Sequence, residues 1–407
     1  MKQALRSALI ILLAAASIFC SVGCRENSEP TAAHSTSTDL SPEPDSGALS
    51  DTPTAPETTP ETEPETEPET EPETEPETTP AEPQTADSLT EVRDILCSAK
   101  ERDEMRVCFT YNGAEELSAR TVARMTAAFY ITVSYTGREY TVEMTEYPGD
   151  RMYDAYRSGD RSGLSEEESR LLDAAVLAVE DITRGCTDRY GIELAVFEYI
   201  TSHVTYCNPT ADISDINDPP RHLSVLGALG DGTANCQGYA DAFYLLASIA
   251  GFEVSRMNVT DADGVGHILN TVRLDGAWYV VDATYGDTEP TSYRLFNAGR
   301  DVCGEYFWDE EMEYRPIADE SDAHFYFYRE EGRAFSSLEA LCKRIKDGLA
   351  DGESTFSLML KGKTASYTDL TAALNSALAD TGKSRSYSVG YVNSASHTYY
   401  TVVFAQG

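Results

Sequence analysis

The sequence predicts an α+β protein in which a helix with a cysteine at its N-terminus packs on an antiparallel sheet, flanked by two small α+β modules. A long apolar helical segment begins directly at Asn235-Cys236. Strand-forming segments follow it, and two of them are joined by Asp275-Gly276, a strong hairpin signal. On either side of this region the order helix, strand, helix, strand, strand can be read.

The N-terminal residues have the features of a secretory signal peptide. Lys2 and Arg6 precede an uncharged apolar run of 12 residues at 8–19, which is too short to span a membrane. Ser21-Val22-Gly23 then leads into Cys24, which resembles the bacterial lipobox, although Ser21 stands where that motif usually has Leu. We predict a signal peptide at residues 1–23 and lipidation of Cys24. The protein would then be extracytoplasmic and held at the cell surface through Cys24 alone, with an ordinary cleaved signal as the alternative.

Residues 24–87 are predicted to be a lipid-anchored, disordered spacer rich in Glu, Thr and Pro. Four consecutive Glu-Thr-Glu-Pro units occupy residues 61–76. Proline at every fourth position blocks a helix, and the regularly spaced glutamates repel one another. We therefore expect an extended, semi-rigid segment, and a fold that begins near Leu89.

The charge of the chain excludes one class of partner. Its formal net charge is −38 at pH 7, from 31 Lys and Arg against 69 Asp and Glu. Only 11 of the glutamates lie in the repeat region at 57–83, so the remainder is acidic as well. An acidic surface repels phosphate backbones, so we predict no nucleic-acid partner.

Two modules flank the central region. The N-terminal one is predicted at residues 88–187 and the C-terminal one at 329–407. The first contains a helix at 89–102, a strand at 105–111, a helix at 114–127, strands at 129–135 and 139–144, and a long helix at 165–182. The second contains a helix at 337–349, a strand at 355–360, a helix at 367–379, and strands at 386–392 and 398–404. The shared order suggests related modules, but such an order is common by chance, so duplication and coincidence both stay open.

The central domain is predicted at residues 188–328. Its elements are a helix at 189–203, a polar loop at 208–223, a helix at 237–250, and strands at 253–259, 267–274 and 278–283. Cys236 stands at the start of the second helix, where unpaired N–H groups and the helix dipole favour a thiolate. The apolar face of that helix should be buried, which would fix the position of the sulfur.

A thiol nucleophile requires a base, and the base requires an orienting group. His267 and Asp282 follow Cys236 in that order, and an acid in an apolar strand needs a partner. A two-residue turn at Asp275-Gly276 would pair His267 with Thr284, which makes Asp282 its diagonal neighbour on one sheet face. The Cys236 helix would then pack across that same face.

Three segments together resemble the transglutaminase-like superfamily of papain-like thiol enzymes. They are Asn235-Cys236-Gln237-Gly238-Tyr239-Ala240, Gly266-His267-Ile268-Leu269-Asn270 and Trp278-Tyr279-Val280-Val281-Asp282-Ala283-Thr284-Tyr285. With the lipobox-like Cys24, the chain resembles a bacterial lipoprotein member of that superfamily. Val204-Thr205-Tyr206 resembles a segment that often precedes the nucleophile in bacterial members. Leu269 departs from the Trp that many members have at that position. The resemblance covers roughly a third of the chain and implies a nucleophilic Cys236, a proton-transferring His267 and an orienting Asp282.

The resemblance also implies a cysteine amidohydrolase or acyltransferase, of peptidase or transglutaminase type, that forms a thioester from a peptide, protein or cell-wall peptide amide. Whether water or an amine resolves the thioester stays open, as does the substrate. Tyr206 and Tyr285 are candidate substrate contacts, with packing as the alternative. The calcium-dependent members typically have Trp after the cysteine, where this chain has Gln237, and no loop has calcium-ligand spacing. We predict no metal and no cofactor. The competing hypothesis is a non-catalytic surface binding module that keeps the fold.

Six further cysteines could form disulfides or be small buried apolar residues. Their spacing does not determine a pairing. They are Cys97, Cys108, Cys186, Cys207, Cys303 and Cys342.

Overall fold

The computed structural model describes residues 84–126, 129–209, 218–261, 264–300, 302–303, 306–307, 317–319, 321–362, 365–379, 386–394 and 397–405. The predicted signal peptide, Cys24 and the spacer up to residue 83 lie outside these residues. In the part of the chain that is described, no helix combines the length and the apolar character that a membrane crossing requires.

The N-terminal module is a four-stranded sheet whose helices share one apolar core with it. Its elements are β1 (Gln84–Ala86), α1 (Leu89–Glu101), β2 (Arg106–Tyr111), α2 (Ala119–Met125), β3 (Phe129–Thr136) and β4 (Glu139–Glu146). The strand order is β1-β2-β4-β3, with β1 parallel to β2 and the other pairs antiparallel.

Two details differ from the sequence prediction. Residues 84–86 were assigned to the spacer, but they form β1, and Ala86 is fully buried. The second helix was expected to begin at residue 114. It begins at Ala119 because Ser118 caps it by accepting the N–H of Thr121 at 3.1 Å.

The central domain is built on a five-stranded antiparallel sheet with the order β10-β9-β8-β7-β11. Its helices are α3 (Pro148–Ser158), α4 (Glu166–Ile182), α5 (Arg189–His203), α6 (Cys236–Ile249), α7 (Ala283–Gly286) and α8 (Tyr326–Arg329). Its strands are β5 (Thr205–Tyr206), β6 (Thr233–Ala234), β7 (Glu253–Asp261), β8 (Gly266–Leu274), β9 (Ala277–Val281), β10 (Phe296–Ala298) and β11 (Tyr306–Phe307). Arg221–Leu223 forms a 3₁₀ turn, Leu226–Asp231 forms a π-helical turn, and β5 and β6 make a separate parallel pair.

The helices α3 and α4 belong to the core of the central domain. The sequence prediction placed residues 148–182 in the N-terminal module and did not anticipate α3. Met152 of α3 and Leu172 of α4 are fully buried in the same apolar cluster as Phe243 of α6. Glu168 caps α4 together with Ser165, as the sequence pattern predicted.

The helix α6 lies in the apolar core of the central domain. Tyr239, Phe243 and Leu246 on it are fully buried. Its Asp241 accepts the backbone N–H of Val225 at 2.8 Å and forms an ion pair with Arg256 of β7. A buried carboxylate with these partners fixes α6 both along its axis and against the sheet.

The C-terminal module repeats the N-terminal one. Its elements are β12 (Ala334–Phe335), α9 (Leu338–Ala350), β13 (Thr355–Lys361), α10 (Tyr367–Ala379), β14 (Tyr387–Asn393) and β15 (His397–Phe404). The strand order β12-β13-β15-β14 and the sense of each pairing match those of the N-terminal sheet. The predicted α+β class is therefore confirmed.

Candidate active site

Cys236 is the first residue of α6, and Asn235 caps that helix. The Asn235 Oδ1 accepts the N–H groups of Gln237 at 3.0 Å and Gly238 at 3.3 Å, and its carbonyl accepts that of Tyr239 at 3.0 Å. The N–H of Cys236 itself has no acceptor among the described residues. A half-buried sulfur and a free N–H donor therefore stand together at the positive end of α6.

On the site side, β8 extends beyond its pairing with β9. The β8–β9 pairing runs from Leu274–Ala277 to Asn270–Val281, so the two-residue turn and its register are confirmed. The predicted pairing of His267 with Thr284 is wrong, because β9 ends at Val281 and the chain turns into α7.

Cys236 lies beside the part of β8 that β9 does not reach. Hydrogen bonding from the side chain of His267 and from the backbone N–H of Ile268 lowers the pKa of its thiol. The expectation that α6 packs on the face of His267 is also wrong. Asn270 donates to Ala240 of α6 at 3.0 Å and is out of phase with His267 along β8. The thiol therefore meets the imidazole at the strand edge.

Asp282 is held by hydrogen bonds from both its side chain and its backbone. Its Oδ2 lies 2.8 Å from Nε2 of His267, and its Oδ1 accepts the N–H of Tyr285, which caps α7. Its own N–H donates to the carbonyl of Leu295 at 3.0 Å. Asp282 is buried, whereas the side chain of His267 is 18% exposed. With Nε2 on Asp282, Nδ1 of His267 is the nitrogen that serves Cys236.

Opposing forces determine the charges of these groups. Burial raises the pKa of the Cys236 thiol, but the hydrogen bond and charge of His267 and the Ile268 N–H outweigh it, so the pKa is lower than usual. Burial lowers the pKa of His267, but Asp282 and Cys236 hold it well above 6.5. Both directions favour a thiolate beside an imidazolium.

Arg294 is a site residue that the sequence analysis missed. It is buried, and its guanidinium lies 4.0 Å from the centre of the Tyr285 ring. Burial raises the pKa of Asp282, but His267, the Tyr285 N–H and the charge of Arg294 bring it below its usual value. Arg294 comes close to Asp282 because it leads into β10, which pairs with β9. No sequence motif marked it.

Asp287 is a second missed residue. Its Oδ2 accepts the hydroxyl of Tyr239 at 2.7 Å and the backbone N–H of Tyr206 at 2.8 Å. These bonds tie the segment after Asp282 to α6 and to β5. Its place two residues after the Tyr285 motif is the one sequence signal that could have suggested it.

The two candidate substrate contacts have different environments. Tyr206 is 44% exposed and pairs with Ala234, two residues before Cys236. Tyr285 is half-buried under Arg294. An exposed ring suits a substrate contact, whereas a covered ring suits packing, and both roles stay predictions.

The described residues contain neither a cluster of metal-ligating side chains nor a disulfide. Within them no group of three or more His, Cys, Asp and Glu residues has the arrangement of a metal site. Their cysteines all carry free thiols: Cys97, Cys108, Cys186, Cys207, Cys236, Cys303 and Cys342. Cys303 and Cys342 are buried, as small apolar residues would be.

One part of the chain matches a known protein family. Residues 178–283 match the family described as the Transglutaminase-like superfamily, which confirms the resemblance for a segment that contains Cys236, His267 and Asp282. The match supports a function of thiol-enzyme type. No curated protein matches the chain.

Three solved structures are similar at low identity. A crystal structure of a TGase is 15% identical over 62% of this chain and 66% of that one, with a TM-score of 0.27. A proposed cysteine protease from Cytophaga hutchinsonii is 12% identical over 39% and 63%, with a TM-score of 0.24. A proposed protease from Parabacteroides distasonis is 7% identical over 68% and 62%, with a TM-score of 0.25. The chain thus spans 62% to 66% of the length of these proteins.

Proposed function

Because residues 178–283 form a transglutaminase-like domain, we propose that this protein is a cysteine amidohydrolase or acyltransferase that acts on peptide or protein amide bonds. One observation carries the proposal. Asp282 is hydrogen-bonded to His267 at 2.8 Å, and His267 lowers the pKa of the Cys236 thiol at the start of a helix. A buried acid, a base and a thiol in this order are the groups that nucleophilic acyl transfer requires.

In the first half of the reaction the Cys236 thiolate attacks the amide carbonyl and a carbon–sulfur bond forms. The imidazolium of His267 gives its proton to the leaving nitrogen, the carbon–nitrogen bond breaks, and an amine or ammonia departs. In the second half His267 takes a proton from water or from an acceptor amine, which attacks the thioester and releases the sulfur. Asp282 keeps the imidazole oriented and stabilises its positive charge.

The free N–H of Cys236 is suited to the negative charge of the tetrahedral intermediate. It belongs to the same residue as the sulfur and is not consumed by the Asn235 cap. Backbone donors of this kind contribute on the order of 10²-fold to 10³-fold in rate. The exposed Tyr206 ring, one strand away, would contact the substrate on its approach.

The proposed setting is the cell surface, with the domain tethered to the membrane through a lipid on Cys24 and separated from it by the Glu-Thr-Glu-Pro spacer. A tether of this kind would let the domain reach cell-wall peptides or surface proteins.

The test presents the full chain with cell-wall peptides and with matched glutamine donors and lysine acceptors. Released ammonia, cleaved peptide and cross-linked product are followed together. Cys236→Ser should lower product formation by about 10³-fold or more. Cys207→Ser, which changes another half-buried thiol, is the matched control and should retain activity. Equal turnover by both variants would refute the proposal, and retention of peptides without turnover would favour the binding-module alternative.

A further inference from the structure

Glu193 is a buried acid that the proposed reaction does not use. It lies on α5, is completely buried, and its Oε2 accepts a hydrogen bond from Nδ2 of Asn297 at 3.0 Å. The remaining oxygens, Oε1 of Glu193 and Oδ1 of Asn297, are buried and lack a hydrogen-bond partner among the described residues. If Glu193 were ionised, both would be acceptors without a donor, which is costly in a protein interior.

Asn297 stands at an irregular point of β10. The register with β9 shifts between Phe296, which pairs with Val281, and Ala298, which pairs with Val280. Asn297 is the extra residue and has a φ of +52°, a left-handed conformation that asparagine tolerates better than most residues. A side-chain partner from α5 therefore holds this bulge.

The bulge is directly connected to Asp282. The carbonyl of Leu295, two residues before Asn297, accepts the N–H of Asp282. Arg294, whose charge acts on the Asp282 carboxylate, immediately precedes Leu295. The position of Asn297 therefore influences how Leu295 and Arg294, which lead into β10, act on Asp282.

We propose that Glu193 is kept as a neutral carboxylic acid that donates from Oε1 to Oδ1 of Asn297, closing a two-point acid–amide hydrogen bond that fixes β10 beside Asp282. The second hydrogen bond satisfies both orphan oxygens with one proton. Glu193 is then a positioning residue for the candidate active site. That role rests on the proposed function, whereas the protonation of Glu193 does not.

The surroundings of Glu193 support the neutral form. Burial raises its pKa to about 8, against the lowering effects of the Asn297 hydrogen bond and the charge of Arg189. Arg189 lies on the same helix, and its guanidinium is occupied by the Phe252 ring and the carbonyl of Gly251. From β10 the facing group is the uncharged amide of Asn297.

The direction of the pH effect follows from these values. The pKa of Glu193 is about 8 in the folded state and 4.5 without perturbation, so the folded state holds the extra proton between these limits. Stability from this group is fully present below pH 4.5 and is lost as the pH rises to about 8.

The deciding experiment compares Glu193→Gln with Glu193→Ala in the full chain, with Glu198→Gln on the same helix as the control. Glutamine keeps the shape and offers an N–H donor in place of the O–H. Urea midpoints are measured from pH 5 to 9, together with the pH profile of Cys236 alkylation.

We expect Glu193→Gln to match the native protein at pH 5 and to exceed it in stability above pH 8. We also expect Glu193→Ala to shift the alkylation profile and Glu193→Gln to leave it in place.

Two results would overturn the proposal. A Glu193→Gln midpoint that falls with pH as steeply as that of the native protein would show that Glu193 is not the protonated group. An alkylation profile unchanged in Glu193→Ala would remove the positioning role. The urea comparison stands even if Cys236 proves unreactive in every variant, so failure of the proposed function is separately visible. If Glu193→Ala does not fold, Glu193→Gln against the native protein still decides the protonation.

Discussion

At the scale of single residues, the charges at the candidate site are set by neighbouring groups that outweigh the effect of burial on each pKa. Burial disfavours both the thiolate of Cys236 and the imidazolium of His267, yet each group stabilises the charged form of the other. Asp282 completes this arrangement because its own charge is supported by the Tyr285 N–H and by Arg294. The reactivity of the thiol should therefore depend on a carboxylate that does not touch it.

Asp282→Asn tests this dependence. The change removes the negative charge that raises the pKa of His267, so the imidazolium that stabilises the thiolate is lost at lower pH. This outweighs the smaller direct effect of the Asp282 charge, which raises the pKa of Cys236. We expect iodoacetamide alkylation of Cys236 near pH 6 to slow by about 10-fold or more, with recovery above pH 9, where any thiol ionises. The measurement is the alkylation rate as a function of pH.

The matched control is Asp275→Asn, which changes a largely exposed carboxylate that pairs with His324. Its alkylation profile should coincide with that of the native protein. Coincidence of the Asp282→Asn profile as well would exclude Asp282 from the activation of Cys236.

At the scale of secondary-structure elements, the site lies where two paired strands separate. Turn chemistry at Asp275-Gly276 determines the register close to the turn, and for that reason the sequence was enough to predict it. The end of β9 depends on partners that are distant in sequence, since the Asp282 N–H bonds to Leu295 and its side chain caps α7. The same reason explains why motifs located Cys236, His267 and Asp282 but did not indicate Arg294.

Asp287 provides an element-scale test because it ties three segments together. Asp287→Ala leaves the hydroxyl of Tyr239 and the N–H of Tyr206 without their acceptor. We expect the free energy of unfolding to fall by about 1–3 kcal/mol. The alkylation rate of Cys236 should fall too, because the segment that carries Asp282 is no longer tied to α6. Urea denaturation and alkylation kinetics measure the two effects.

Asp287→Asn is the conservative counterpart, since its amide oxygen can still accept one of these hydrogen bonds. It should recover most of the alkylation rate that Asp287→Ala loses. An Asp287→Ala protein that alkylates at the native rate would show that Asp287 has no part in positioning Asp282.

At the scale of the whole molecule, the two flanking modules agree beyond their order of elements. The parallel pairs are 25 residues apart in both, as in Gln84 with Phe109 and Ala334 with Met359. The tyrosine pairs 135–140 and 391–400 occupy corresponding positions in the two sheets. Order alone is common by chance, but register and matching cross-strand pairs together favour duplication. Element order could be read locally, whereas this agreement required the pairing of distant strands.

The last prediction concerns how the whole chain is held at the cell surface. Small residues lead from the apolar run into Cys24, and a strongly polar sequence follows immediately. A diacylated cysteine would supply two buried acyl chains, which is enough for stable anchoring, whereas an unmodified chain of net charge −38 has no affinity for an anionic membrane. Cys24→Ser should therefore move the protein from the membrane fraction to the soluble or secreted fraction. Cys20→Ser, which changes a cysteine inside the predicted leader, is the control and should stay with the membrane. Quantitative immunoblots of both fractions measure the partition, and a Cys24→Ser protein that remains membrane-bound to the native extent would refute the lipid anchor.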